Sequence, residues 1–234
     1  MLGCASARKA HPRRGGAEAR TEAGTACESC RVSWAEVPEV VTAIREALDR
    51  TQVVSSVVLG GSRARETATE LSDWDLYVEG DPEGMMAEIP GLVAFFAPLA
   101  AFWEPLAEEA GYMVVFDGPI KVDVFPVGAT RRIQPPWQLR ADTLASIDRH
   151  FWDWTLWLGG KALRGERQLV ADELAKMHGF LLAPLGVASV PASLDEAVSS
   201  YRRARERAVD ALGVVVDQEL GRQVSAALER HGLL

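Results

Sequence analysis

The sequence predicts an α+β fold, with strands in the first half of the chain and a helical C-terminal domain after them. Three observations carry this. Between Val53 and Val127, short β-branched apolar runs alternate with turns rich in Gly, Asp and Pro. Ahead of that stretch, Val37, Val40, Val41, Ile44 and Leu48 recur at helical spacing within Trp34 to Arg50, as expected for a helix packed on a sheet. Beyond Pro136 the apolar pattern is helical throughout.

Residues 1–31 stand apart. They are rich in Ala, Gly and Arg, lack periodicity and hold all three cysteines, so they read as a disordered leader. Cys27 and Cys30 form a CxxC without a second ligand pair, which makes an accidental spacing the better reading than a zinc or redox site.

After the first helix, Val53, Val54, Val57, Val58 and Leu59 form a strand that stops at Gly60-Gly61, and Ser62 opens a helix-compatible segment. Glycines at such a turn let backbone approach a ligand, while free N–H groups and the Ser62 hydroxyl can hold phosphate oxygens. A second strand follows at Ser72 to Val78, with Asp73 and Asp75 on one face and Trp74, Leu76 and Val78 on the other. Two neighbouring carboxylates repel and raise each other's pKa unless a cation lies between them. The bare pattern fits either a solvated edge-strand face or a divalent-metal site, and magnesium takes such oxygen ligands.

Between Asp81 and Gly111, Pro82, Pro90, Pro98 and Pro105 predict short or broken helices. Phe95, Phe96, Phe102 and Trp103 read as packing residues there, and Glu104, Glu108 and Glu109 as a solvated helix face. Tyr112–Phe116 and Ile120–Val127, joined by Asp117-Gly118-Pro119, read as a hairpin. Its second strand puts Lys121, Asp123 and Phe125 on one face. A carboxylate at Asp123 in so apolar a strand needs a partner. Lys121 is a structural candidate; the functional alternative brings Asp123 beside Asp73 and Asp75 to hold metal ions.

In the C-terminal half, Leu144 to Leu158 reads as a helix with a buried stripe through Ile147, Trp154 and Trp157, stopped by Gly159-Gly160. Asp153 reads either as an exposed helical acid or as a carboxylate placed beside aromatic rings to hold an acceptor amine. His150 reads as a surface or packing residue. Leu169–Leu185, Ala192–Leu212 and Val214–Leu228 complete the helical region, with Tyr201 to Arg207 as a solvated face.

Taken together, Leu59-Gly60-Gly61-Ser62, Asp73-Trp74-Asp75-Leu76 and Val122-Asp123-Val124 resemble, in order and spacing, the pattern of the polymerase-beta-like nucleotidyltransferase superfamily. The form GSRAR followed by SDWDL looks most like the bacterial branch that holds aminoglycoside, lincosamide and minimal nucleotidyltransferases. The resemblance implies a small mixed sheet with flanking helices in a catalytic domain at 33–130, and a helical acceptor-side domain at 137–234. It implies Asp73, Asp75 and Asp123 as catalytic Mg2+ ligands, Gly60, Gly61 and Ser62 against the triphosphate, and Arg63 or Arg65 facing phosphate charge. The reaction implied is transfer of a nucleotidyl group, AMP from ATP first among them, to a hydroxyl of a small molecule such as an aminoglycoside-type antibiotic. Glu66 departs from this branch, which often has Gly there; an acid facing the phosphates would weaken nucleotide binding.

Composition narrows the partners. Residues 32–234 carry 19 basic and 30 acidic side chains, a formal balance of −11. Nucleic-acid binding would need a basic face, so a cationic acceptor is expected and no nucleic acid. No apolar run reaches membrane-span length, and a cytoplasmic location is the expectation. Two alternatives remain: an antitoxin-like module that binds and modifies a partner protein, against which the long helical region counts, and an idle nucleotide-binding protein.

Overall fold

The computed structural model describes residues 37–132 and 137–234. The expected leader with Cys27 and Cys30, and Trp34 at the head of the first helical pattern, lie outside the described residues.

Helix α1 (Glu39–Asp49) buries Val41, Ile44 and Leu48, its apolar stripe as predicted. Strand β1 (Val54–Leu59) runs into a single helical turn, α2 (Gly61–Ala64), and then strand β2 (Trp74–Gly80). Helix α3 (Pro82–Ala94) corrects the expectation of broken helices: it runs through 13 residues despite its prolines. Pro82 occupies the first turn, where no N–H is needed, and Asp81 caps the Gly84 N–H at 3.2 Å. Burial of Met85, Ile89 and Val93, one turn apart, outweighs the bond lost at Pro90.

Strand β3 (Ala100–Trp103) was not legible, because four residues are too short to show alternation. It pairs with β4 (Tyr112–Phe116), which makes the predicted hairpin with β5 (Ile120–Pro126). Glu104 therefore lies in the turn after a strand, half-buried, whereas Glu108 and Glu109 are exposed but not helical.

The sheet order is β1-β2-β5-β4-β3, with β2 and β5 parallel and every other pair antiparallel. The mixed sheet implied by the resemblance is present. One face packs Leu76, Val78, Val114, Val122 and Val124 against the apolar stripes of α1 and α3. On the other face, Ala100 and Val115 join the core of the helical region.

That region comprises α4 (Leu144–Leu163), α5 (Arg167–Met177), a π-helical turn at His178–Leu182, a 3-10 turn at Ala183–Leu185, α6 (Leu194–Leu212) and α7 (Glu219–Arg230). Gly159 and Gly160 do not stop α4. A Cβ on Gly159 would lie 2.4 Å from Leu228 Cδ2, and one on Gly160 3.1 Å from the Leu71 carbonyl oxygen. They are there because α7 and the β2 approach pack directly on the helix, and that packing holds the helix through them.

The solvated face expected at Tyr201 to Arg207 is also corrected. Tyr201 and Arg205 turn inward and both donate to Asp148 Oδ1 at 2.6 Å, while Arg202, Arg203, Glu206 and Arg207 are exposed. The residues at 201 and 205 share the face that carries Val198 and Ala208, so helical phase overrides their polarity. Among the described residues no helix is long and apolar enough to cross a membrane.

Candidate active site

The site begins where β1 ends. The Gly60 N–H donates to the Asp75 carbonyl at 2.8 Å, drawing the turn onto β2. Gly61 has φ +61°, and a Cβ there would lie 1.6 Å from Asp75 Oδ2. Only glycine lets this backbone touch the carboxylate. Gly61→Ala is expected to displace Asp75, lowering nucleotidyl transfer by at least about tenfold with a stability cost of about 1–3 kcal/mol; kinetics beside urea unfolding check both, and unchanged activity would separate the turn from the chemistry.

Ser62 is buried and its Oγ has no hydrogen-bond partner. A buried hydroxyl left unsatisfied is costly, and such a group beside a carboxylate cluster is a place for a ligand oxygen. The helical turn behind it is only four residues long, so it adds little helix field at Ser62.

Arg63 is committed elsewhere. Its guanidinium stacks 3.8 Å over the Trp74 ring and donates to the Ser72 and Asp73 carbonyls at 2.5–3.2 Å. Arg63 thus braces the loop that presents Asp73, and Arg164 from the end of α4 fastens the same loop through Ser72 Oγ at 3.1 Å. Arg65 is exposed and acts on Asp75 through space.

Glu66 is exposed and adopts φ 57°, the left-handed region. This explains physically why glycine suits the position. Glu66→Gly is expected to stabilise the protein by up to ~1 kcal/mol, strain relief being partly offset by the entropy of glycine in the unfolded chain; urea unfolding measures it, and a loss of stability would contradict the strain.

The three acids converge. Parallel pairing of β2 and β5 sets Asp75 directly opposite Asp123, and Asp73 lies just before β2 on the same side. Ligand oxygens of Asp73, Asp75 and Asp123 all lie within 4.8 Å of one another. Burial, then the Asp73 carboxylate, pushes Asp75 up to about 6, against the opposing charges of Lys121, Lys161 and Arg65. Crowded carboxylates, one of them raised by burial and then by like charge, with an unpartnered hydroxyl on the adjoining turn, form a donor set that fits a hard divalent cation.

Asp123 meets both Lys121 and the other two acids. Lys121 Nζ donates to Asp123 Oδ1 at 2.5 Å and to Asp153 Oδ1 at 2.7 Å. Burial pulls the Lys121 pKa down, but the carboxylates of Asp123, Asp153 and Asp73 outweigh it and hold the ammonium above its ordinary value. Asp153 is buried, not an exposed helical acid, since α4 turns that face toward β5.

Beside Asp123 and Lys121 opens a cleft of about 250 Å3 walled by Glu104, Asp153, Glu173, His150, Trp154 and Trp157. Trp154 Nε1 donates to Glu173 at 3.1 Å. His150, buried between Phe102 and Trp154, has its pKa pulled down to about 4 by burial and stays neutral at pH 7. Glu104, Glu173 and His150 carried no sequence signal as site residues, because three separate elements bring them together.

Residues 41–105 match the family model of the nucleotidyltransferase domain. The match includes Asp73 and Asp75 but ends before Asp123, whose place rests on the geometry. Among solved structures, an aminoglycoside 6-adenyltransferase from Bacillus subtilis is 11% identical, with 80% of this chain and 95% of that one covered at a TM-score of 0.30. The polymerase core of TRAMP, an RNA surveillance complex, is 13% identical over 79% of this chain and 53% of that one, with a TM-score of 0.33. Both scores are low, and neither likeness bears on substrate. No curated protein matches the chain in sequence. With the turn and the converging acids in place, the family match places a nucleotidyltransferase domain at residues 41–105 of the chain.

Proposed function

We propose that the protein transfers a nucleotidyl group, AMP from ATP first among the candidates, to a hydroxyl of a small molecule in a magnesium-dependent reaction. The observation that carries this reading is the convergence of Asp73, Asp75 and Asp123 beside the Gly61-Ser62 turn, with Asp123 also lining a walled cleft. In this reading residues 33–130 are the catalytic domain and 137–234 the helical acceptor side, with the protein in the cytoplasm.

Each residue has a part. Gly60 and Gly61 let backbone approach the triphosphate, Ser62 Oγ gains a phosphate oxygen as its missing partner, and Arg65 faces phosphate charge. Arg63, pinned over Trp74, holds the Asp73 loop in place rather than reaching the nucleotide. Asp73, Asp75 and Asp123 would hold Mg2+, which when bound supplies charge neutralisation for in-line displacement of pyrophosphate. That Asp123 lines the cleft supports a role for it in orienting the acceptor hydroxyl and drawing on its proton.

The cleft supports a cationic acceptor. Of its three acids, Asp153 is paired with Lys121 and Glu173 with Lys176, which leaves the Glu104 carboxylate to attract a cation, beside the aromatic walls of Trp154 and Trp157. Its volume is at the small end of ligand sites, enough for one amino-sugar ring of an aminoglycoside-type antibiotic or a whole small amino alcohol.

The test is pyrophosphate release with Mg2+ and each of the four ribonucleoside triphosphates, against aminoglycosides, lincosamides and metabolite alcohols, with Asp73→Asn as control. Acceptor-dependent release that disappears in the control supports the reading. Release unaffected by Asp73→Asn, or no release with any acceptor, overturns it.

A further inference from the structure

Lys121 sits where strand β5, helix α4 and the carboxylate cluster meet. It is 4% exposed, and its ammonium makes three contacts: Asp123 Oδ1 at 2.5 Å, Asp153 Oδ1 at 2.7 Å and Met113 Sδ at 3.6 Å. An ammonium has three donors and no acceptor. None is left for a nucleotide or an acceptor, so any effect of Lys121 on the reaction passes through the groups it holds.

The group that needs holding is Asp123. Its register partner on β2 is Asp75, and Asp73 lies within the same cluster, so like charge pushes the Asp123 carboxylate away from the position where all three meet. A fixed cation on Oδ1 opposes that push. The fixed cation is itself held from the far side: Asp153 comes from the helical region and is as buried as Asp123. The single ammonium therefore ties the helix that walls the acceptor cleft to the strand that carries the third acid.

We propose that Lys121, anchored by Asp153, is a positioning residue that orients Asp123 toward Asp73 and Asp75 and keeps the acceptor cleft in register with them. The proposal rests on the reading of the three aspartates as a metal site in a nucleotidyltransferase.

The test is the double variant Lys121→Met/Asp153→Leu. It removes one positive and one negative charge together, so net charge is unchanged, and it substitutes apolar side chains for a buried ion pair, an exchange that folds are known to tolerate. Because Asp123 still loses its ammonium, thermal unfolding is expected below wild type but above that of Lys121→Met alone, which strands Asp153 as well. Mn2+ affinity, read from the electron paramagnetic resonance signal of the free ion, is expected to weaken by about 10- to 100-fold, as for loss of a residue that orients a ligand. The kcat for acceptor-dependent pyrophosphate release should fall by a similar factor while the nucleotide KM stays within about twofold.

A well-folded double variant with wild-type Mn2+ affinity and kcat would overturn the proposal, leaving the pair a structural strut. If the double variant does not fold, Asp153→Asn is measured instead; it keeps the shape, loosens the anchor and is expected to shift Mn2+ affinity the same way, and no shift overturns the proposal. Wild-type protein that binds no Mn2+ would instead overturn the metal-site reading, and this proposal with it.

Discussion

Asp75→Asn is expected to lower nucleotidyl transfer by about a thousandfold while making the metal-free protein more stable at neutral pH. The loss follows from removing a charged oxygen aimed at the centre of the cluster, an electrostatic contribution of the size seen when one such stabilising group is deleted. The gain follows from burial and Asp73, which push Asp75 up to about 6. An unperturbed carboxyl releases its proton near 4, so between about pH 4 and 6 the folded state holds more protons than the unfolded chain. Stability contributed by protonated Asp75 is thus present below pH 4, declines as pH rises through 6, and is absent above it. Because Asp75 is only partly buried, the effect discounts to about 1–2 kcal/mol. Urea unfolding in chelator at pH 4.5 and pH 8 measures it: the variant should gain at pH 8 and show a shallower decline between the two. Adding Mn2+ should restore wild-type stability but not the variant's, since only an intact site gains from the ligand. Full activity in Asp75→Asn, or a variant less stable than wild type at pH 8, would contradict the assignment.

The largest effect on stability is expected from Lys121→Met. The side chain is 4% exposed, and its removal strands Asp123 and Asp153, both buried, beside Asp73 and Asp75. Breaking a buried pair by removing one partner costs about 3–5 kcal/mol, because the remaining charge has neither solvent nor counter-ion. Here one ammonium serves two carboxylates, which places the expectation at the upper end. Urea unfolding of the single variant measures the loss. A change below about 1 kcal/mol would mean that water or protons compensate the two acids at little cost, and Lys121 would then not be the cation that holds the cluster.

Much of the site was legible along the chain because its local parts are local. Gly60-Gly61-Ser62 and Asp73-x-Asp75 lie on adjacent elements joined by a short loop, and the period of two in a strand fixes that Asp73 and Asp75 share a face. The same rule paired Lys121 with Asp123, and the turn at Asp117-Gly118-Pro119 fixed the hairpin that carries them. Signals that rest on one residue type were less dependable. Prolines suggested a broken chain where α3 runs on, and Gly159-Gly160 suggested a stop where α4 continues. In both places tertiary burial outweighs local propensity. The charge run at Tyr201 to Arg207 concealed two inward positions, because the composition of a run does not reveal the phase of its helix.

By itself the sequence determined the first helix, the strand and turn at Gly60-Gly61, the strand after Asp73, the Tyr112–Val127 hairpin, the shared face of Asp73 and Asp75, and the helical character of the C-terminal region, since each follows from backbone periodicity and turn chemistry over a few residues. Only the tertiary structure decided that β2 pairs parallel with β5 and so sets Asp75 against Asp123. Only it decided that α4 turns Asp153 inward onto Lys121, and that Glu104, His150 and Glu173 close one cleft. The physical reason is sequence distance: pairing and packing between elements dozens of residues apart depend on how whole apolar faces fit together, and no short stretch of chain contains that information.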